Sequence, residues 1–476
     1  MKFNSFAFLV FFPVVAVLHF LLPHRFRWVL LLVASCAFYM WWKAAYILVI
    51  GATASVDYFA GLMLERTADP GRRKLCLSLS LASNLGILFV FKYYDFFVDS
   101  ATAALSAFGL QSAAPAIHLL LPIGISFHTF QGMSYAIEVY RGNVKAERHA
   151  GIFALFVMFF PQLVAGPIER PAHLLPQMRT EKRFDATRAA RGLQLMLWGL
   201  FKKVCVADRL APIVDQVYAD PGAHSRGAAV IATVFFAFQI YCDFSGYSDI
   251  AVGAADVLGF DLMQNFRRPY GSKSVPEFWK RWHVSLSTWF RDYLYIPLGG
   301  NRVSRPRLYL NVMIVFLVSG LWHGANWTFL VWGGLHGLYF AGWSLTEGVR
   351  ARFAAATGLA RLHAVRAAIG VAVTFVLVTL AWTFFRATSM TEALAVLGRM
   401  FSAHGGGTRI DSQVLVLCAV PLAILVLVEV AQSRMCLRDR IAALPVALRW
   451  SVFYGAILLT LFLGVFEERE FIYFRF

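Results

Sequence analysis

Apolar residues in this chain come in long runs rather than in the one-sided stripes of a soluble helix or the alternation of a half-buried strand. Runs near the roughly 17–25 residues that cross a bilayer lie at Phe6–Leu22, Trp28–Leu64, Cys76–Lys92, Pro122–Val139, Gly151–Ala165 and Gly192–Val206. Others lie at Ala228–Leu258, Leu308–Leu321, Asn326–Leu345, Ala367–Phe385, Val414–Val430 and Ser451–Phe466. The run at Trp28–Leu64 is long enough for two passes. Each run reads as a helix, because a chain in hydrocarbon must satisfy its backbone hydrogen bonds within the segment. The pattern predicts an all-α polytopic membrane protein. No linker, low-complexity tract or internal repeat interrupts it, so residues 1–476 read as a single membrane domain.

The segment Asn265–Arg307 breaks this rhythm. Arg267, Arg268, Lys273, Lys280, Arg281, Arg291, Arg302, Arg305 and Arg307 stand there against only Glu277 and Asp292. Pro276 suits a helix start, and Pro297 with Gly299 and Gly300 suits a stop. At about 100° per residue, Phe278, Trp279, Trp282, Leu286, Trp289, Phe290 and Tyr293 share one arc, with Lys280, Arg281, Thr288, Arg291 and Asp292 on the rest of the wheel. The spacing predicts an amphipathic helix over 277–295, lying along the cytoplasmic interface with Trp282 and Trp289 towards the membrane. Lys280, Arg281 and Arg291 would form a basic rim able to attract phosphates. His283 falls on the border between the two faces.

Composition agrees with the pattern. The chain has 476 residues, 59% hydrophobic and 15% charged, against about a quarter charged in soluble proteins. Mean hydropathy is +0.62. The net charge of +17 is concentrated in short connections at 66–74, 170–191, 350–366 and 434–440, as expected of loops retained on the cytoplasmic side. Nucleic-acid binding would need a soluble basic face, and the pattern offers none. The N-terminal run lacks a small-x-small cleavage site and another run follows it closely, so it reads as a first span rather than a signal peptide. Cys36, Cys76, Cys205, Cys242, Cys418 and Cys436 have no metal-ligand spacing, which predicts neither a metal site nor a disulfide framework. The stretch HGGGTR at 404–409 reads as a loop, since no Lys-Ser/Thr helix follows it.

Polar groups inside apolar runs are costly and are the functional candidates. In LWHGANW, Leu321–Trp327, a helical path from Arg307 places His323 roughly 24 Å along, at or beyond the middle of a ~30 Å core. Asn326, one turn on, is placed to orient it or to donate to a developing oxyanion. His336 falls about 220° round from His323 if the helix is unbroken, which assigns it a structural role. Asp249 and Asp256 share a helical face while Asp243 does not. A transporter would use these as ion ligands, whereas a structural reading pairs them with Arg or Tyr. His128, Gln131 and Glu138 read first as packing or cavity lining.

RRPYGSKSVPEFWKRWHVSLSTWFRDYLYIPLGGNR followed by GLWHGANWTFLVWGGLHG resembles the membrane-bound O-acyltransferase family, in its bacterial alginate O-acetyltransferase-like branch. LPIGISFHTFQGMSYAIEVYRG, FFPQLVAGPIERP, YCDFSGYSDIAVGAADVLGF and the terminal FIYFRF fit the same branch. The resemblance implies roughly 11 or more transmembrane helices in a ring around a thin core pierced by a tunnel. It places the family's catalytic histidine at His323 and a second catalytic position at His283. It implies acetyl-CoA as donor with no bound cofactor, and a bacterial inner-membrane location. It also implies a periplasmic SGNH-type acetyltransferase partner and an extracytoplasmic polysaccharide acceptor such as alginate. Histidine titrates near neutrality and suits the general base such a transfer needs. The competing readings are a secondary transporter, which would show two related halves, and a non-catalytic scaffold of an export complex, which would need neither histidine.

Overall fold

A computed structural model describes residues 1–110, 115–117, 119–402, 406–467 and 469–472. His404 and Gly405 of HGGGTR, and residues 473–476 of FIYFRF, lie outside the described residues. Among the described residues the chain is helical, with no β-strand beyond an isolated bridge between His224 and Thr408. The helices run in the order α1 (Phe6–Leu21), α2 (His24–Lys43), α3 (Ile47–Arg66), α4 (Pro70–Leu88), α5 (Tyr94–Ala107), α6 (Ile125–Arg141) and α7 (Ala150–Met158). There follow α8 (Phe160–Leu163), α9 (Pro171–Arg179), α10 (Ala186–Leu200), α11 (Asp208–Ala219), α12 (Arg226–Leu258), α13 (Val275–Trp279) and α14 (Val284–Phe290). The chain continues through α15 (Arg305–His323), α16 (Trp327–Leu345), α17 (Glu347–Ala356), α18 (His363–Arg386) and α19 (Met390–Phe401). It ends with α20 (Ser412–Arg434), α21 (Leu437–Ala442) and α22 (Val446–Leu463).

Among the described residues, six helical stretches are long and apolar enough to cross a membrane: His24–Arg66, Pro70–Ala107, Arg226–Leu258, His363–Arg386, Ser412–Arg434 and Val446–Leu463. The protein is a multi-pass all-α membrane protein. One expected span does not form as a single helix. Residues 151–165 are divided between α7, whose 9 residues rise only about 13 Å, and the short α8. Pro161 has no N–H to donate, and its ring would clash with the carbonyl of Val157 in a continuous helix.

The residues group into two compact units, Met1–Met196 with Ser248–Gln264, and Leu197–Tyr247 with Asn265–Phe476. The first unit is built around α6, in which every residue from Ile125 to Ala136 is buried. Helices α3, α4 and α7 pack on it. Polar groups hold these helices together, as expected where lipid supplies no hydrophobic drive between them. Ser80 Oγ and Asn84 Nδ2 both donate to Asp57 Oδ1, at 2.7 and 2.8 Å, and Gln131 Nε2 donates to the Phe156 carbonyl at 2.6 Å. Glu138 accepts from Asn143 at 2.8 Å at the end of α6. Gln131 and Glu138 of this helix are thus each held by a hydrogen bond, and His128 is buried. The second unit is organised around the antiparallel pair α15 and α16, with α18 and α13 packed on α16.

Candidate active site

The site begins with the stop in LWHGANW. His323 is the last residue of α15, because Gly324 turns extended at φ −163° and ψ 150°. Asn326 then starts α16: its Oδ1 accepts from the Thr328 N–H at 3.0 Å, an N-cap that satisfies a donor the helix leaves unpaired. Its Nδ2 donates to the Thr388 carbonyl at 2.9 Å. Both ends of the Asn326 amide are thus committed to the turn. It supports His323 by fixing the backbone beside it, and these bonds engage one of the two N–H donors of the amide.

The two helices can lie close enough to fold back here because of two glycines. A Cβ at Gly320 would meet the Phe329 carbonyl oxygen at 2.3 Å, and one at Gly333 would meet that of Phe316 at 2.3 Å. The turn also overrides the unbroken-helix estimate. His336 lies on α16, not round the far side of the His323 helix, and both rings pack edge-on with Trp332, at 5.1 and 5.0 Å.

Segment 277–295 departs from the single amphipathic helix predicted. Ser274 caps α13 by accepting from the Glu277 N–H at 3.2 Å, and α13 ends after Trp279. The chain turns at His283, whose φ of 44° lies in the left-handed region, and then enters α14. That backbone region costs a non-glycine residue of order 1–3 kcal/mol and persists only where its surroundings enforce it. Here Val284 N–H donates to the Asn265 carbonyl at 2.9 Å, and Ser285 Oγ donates to Asn265 Oδ1 at 2.6 Å. The aromatic face turns inward. Trp282 is fully buried and Trp289 nearly so, and Trp282 packs 4.9 Å from Trp382 and 5.4 Å from Phe278. The wheel found the right face but assigned it to lipid, because periodicity cannot distinguish lipid from protein as the apolar neighbour.

This turn brings His283 to His323, with ring centroids 6.4 Å apart. Both are buried. His323 is enclosed by Trp322 at 4.9 Å, Trp332 at 5.1 Å and Phe385 at 5.2 Å. His283 packs on Phe244 at 4.7 Å and Trp322 at 5.9 Å. His336 has a different environment. It accepts from Trp279 Nε1 through Nδ1 at 3.3 Å, and since an indole N–H only donates, a neutral His336 carries its proton on Nε2. Its ring stacks parallel to Phe278 at 6.4 Å. Of the basic rim, Lys280 and Arg291 are exposed. Arg281 pairs with Glu277 at 2.5 Å and Arg291 with Asp292 at 2.7 Å. Among the described residues no cluster of His, Cys, Asp or Glu is arranged to hold a metal ion.

A buried ion cluster adjoins the site, and sequence reasoning missed two of its three members. Lys203 Nζ lies 2.7 Å from Asp243 and 2.8 Å from Asp208, all three nearly inaccessible. Asp243 Oδ2 also accepts from the Ile472 N–H at 2.6 Å. Phe471 stacks on Tyr247 at 4.6 Å and lies 5.9 Å from Phe244, the ring that packs on His283. The signal for Lys203 was present as two consecutive lysines inside a predicted span. The other aspartates of this stretch follow the structural reading in part. Asp256 pairs with Arg188 and Arg191 at 3.3 and 3.2 Å, while Asp249 is half-buried.

Comparison with known proteins gives this arrangement a context. The model of the membrane-bound O-acyltransferase family matches residues 149–390, which include both site histidines. The probable alginate O-acetylase of Azotobacter vinelandii is 40% identical over 437 residues, covering 90% of this chain and 84% of the relative. That of Pseudomonas aeruginosa is 40% identical over 404 residues, covering 84% and 75%. The peptidoglycan O-acetyltransferase of Helicobacter pylori is 35% identical over 404 residues, covering 79% and 74%.

Proposed function

Since the chain belongs to the membrane-bound O-acyltransferase family and is an O-acyltransferase, we propose that it moves an acetyl group from cytoplasmic acetyl-CoA across the bacterial inner membrane for O-acetylation of an extracytoplasmic polysaccharide such as alginate. One observation carries the assignment of the site: two buried histidines, separated by forty positions in sequence, meet 6.4 Å apart within an aromatic enclosure.

His323 acts as the general base. It takes the proton from a hydroxyl of the partner acetyltransferase, the group that first receives the acetyl, as that oxygen attacks the thioester carbonyl, and returns a proton to the coenzyme A thiolate as the carbon–sulfur bond breaks. Placement of both reactants against one imidazole supplies the proximity that makes such a step fast. His283, fixed by its left-handed backbone, orients the thioester end of the donor. Asn326 holds the turn that aims His323. Lys280, Arg281 and Arg291 face the cytoplasm and draw in the phosphates of acetyl-CoA, although Arg281 and Arg291 already share their charge with Glu277 and Asp292. The relay ends on a periplasmic SGNH-type acetyltransferase, which passes the acetyl group to the polysaccharide.

The test uses purified protein in vesicles, with radiolabelled acetyl-CoA outside or inside. Label should reach alginate oligosaccharides only when the partner acetyltransferase is present on the opposite side from the donor. Efficient labelling by this protein alone would remove the partner step, and no consumption of acetyl-CoA under any arrangement would remove the donor assignment.

A further inference from the structure

In the first unit a cleft of about 240 Å³ opens where the end of α1, the start of α2 and the end of α9 meet, far in sequence from either site histidine. Its lining is cationic: Arg25, Arg27, Arg179 and Lys182 contribute to it, and no carboxylate does. Arg179 is neutralised by its pair with Glu147. Three cations remain. Arg27 is held in place by donating to the Leu22 carbonyl at 2.9 Å and to that of Lys182, which leaves part of its five-donor fork for a ligand. Lys182 Nζ rests 5.1 Å over the Phe260 ring, and Arg25 lies 4.8 Å over Phe26.

A second observation points to a ligand. His19 lines the same cleft and is 1% exposed; its ring is within reach of the Leu258 backbone on one side, which leaves a ring nitrogen without a hydrogen-bond partner. A buried polar group without a partner is expensive. The other two histidines of the cleft are already used: His24 Nε2 meets the Arg179 carbonyl at 3.2 Å, and His149 Nδ1 caps α7 through the Ile152 N–H at 3.1 Å. The α2 N-terminus also has no side-chain cap, and its dipole favours an anion.

Size and flanks select among anions. The cleft is smaller than the roughly 300–1,000 Å³ of sites that enclose a drug-sized ligand, so it suits a phosphate group and not a whole nucleotide coenzyme. Beside it, Leu21, Phe26 and Phe184 are exposed at 73%, 47% and 62%, and Phe184 meets Phe20 edge-on at 5.3 Å. Exposed apolar rings next to a cationic cleft are what an amphiphile needs, with its phosphate held inside and its chains along the outer face. The charge clusters at 66–74 and 170–191 mark this as a basic side of the protein, and anionic lipids concentrate on the cytoplasmic leaflet.

We propose that this cleft binds the phosphate of an anionic phospholipid headgroup, with Arg25, Arg27, Lys182 and His19 as its donors. The site does not depend on the acyl-transfer reading.

The test is thermal unfolding of the full-length protein, delipidated in a neutral detergent, with added phosphatidylglycerol, phosphatidylcholine or inorganic phosphate. Phosphatidylglycerol should raise the unfolding midpoint by several degrees and phosphatidylcholine should not, because a ligand that binds only the folded state stabilises it. Arg25→Gln/Lys182→Gln should lose that rise. Native mass spectrometry should find phosphatidylglycerol retained by the parent protein and not by the variant. Should the double variant fold poorly, Arg25→Gln alone serves, since the Arg25 contact is with an exposed ring. Equal effects of the two lipids, or an undiminished rise in a folded variant, would overturn the proposal. If inorganic phosphate reproduces the shift and the anionic lipid does not, the source is a soluble phosphate and the lipid assignment fails.

Discussion

The rings of His283 and His323 lie 6.4 Å apart, and each is placed by a local departure from helix. His323 ends α15 where Gly324 turns extended, and His283 sits in the left-handed region between α13 and α14. Neither residue would point where it does from the middle of a regular helix. The site therefore depends on two breaks that are themselves held by capping groups and by Asn265.

His323→Ala should lower acetyl transfer at least about 100-fold, the contribution of a lost general base, while expression and membrane insertion stay normal. Activity within a few-fold of the parent would refute the assignment. At His283 the side chain and the backbone can be separated. His283→Ala should impair transfer severely and keep the strained φ. His283→Gly should be equally inactive yet more stable than the alanine variant by about 1 kcal/mol, because glycine adopts that conformation freely. Transfer normalised to folded protein, with unfolding midpoints for both variants, checks this.

His336 should behave differently. Its Nδ1 accepts from Trp279 and its ring packs among Phe278, Phe316 and Trp332. His336→Ala leaves a cavity and an unpaired indole N–H, and should reduce the yield of folded protein. Turnover per folded molecule should remain near normal. A stable His336→Ala protein with no turnover would place this residue in the chemistry.

The sequence made much of this visible, for physical reasons that differ by element. Span positions follow from run length and hydropathy, so α1, α12, α18 and α20 appear close to where the apolar runs put them. Histidines inside such runs are costly enough to be noticed one at a time. What a one-dimensional pattern lacks is the identity of the neighbour. The aromatic arc of 277–295 was read as facing lipid because lipid and the tryptophan-rich core are equally apolar, yet Trp282 packs against Trp382. The turn at His283 was invisible because no glycine or proline marks it. Asn326 looks chemical because it stands beside His323, and its side chain also caps α16, a role the pattern did not single out. Lys203 was absorbed into a predicted span, although its neighbours Asp208 and Asp243 explain how a lysine is tolerated there.

The basic rim offers a test of orientation. Lys280 and Arg291 are both exposed, so cysteines at these positions should react with a membrane-impermeant thiol reagent in inside-out vesicles and stay unlabelled in intact cells. The parent protein carries six cysteines, of which only Cys436 is exposed, and replacing that one provides the background. Labelling from the periplasmic side would reverse the proposed orientation and remove the role of the rim in drawing in a cytoplasmic donor.

The cluster of Lys203, Asp208 and Asp243 leads to the last prediction. The three side chains are buried and within 2.8 Å of one another through the lysine. Removing one partner of a buried ion pair leaves an uncompensated charge and costs about 3–5 kcal/mol. Lys203→Met should therefore reduce folded protein sharply, since two carboxylates would remain. Asp243 has the second task of accepting from the Ile472 N–H, with Phe471 stacked on Tyr247 just beyond it. Asp243→Asn keeps an acceptor oxygen for that N–H and Asp243→Ala does not. In Asp243→Ala, trypsin should cut at Arg469 faster than in the parent, as the segment loses its anchor, and Asp243→Asn should fall between the two. Because Phe471 also lies beside Phe244, the ring that packs on His283, transfer should fall in the same order as cleavage rises. Cleavage at Arg469 that is unchanged in a folded Asp243→Ala protein would show that the segment is held by its aromatic packing and not by the carboxylate.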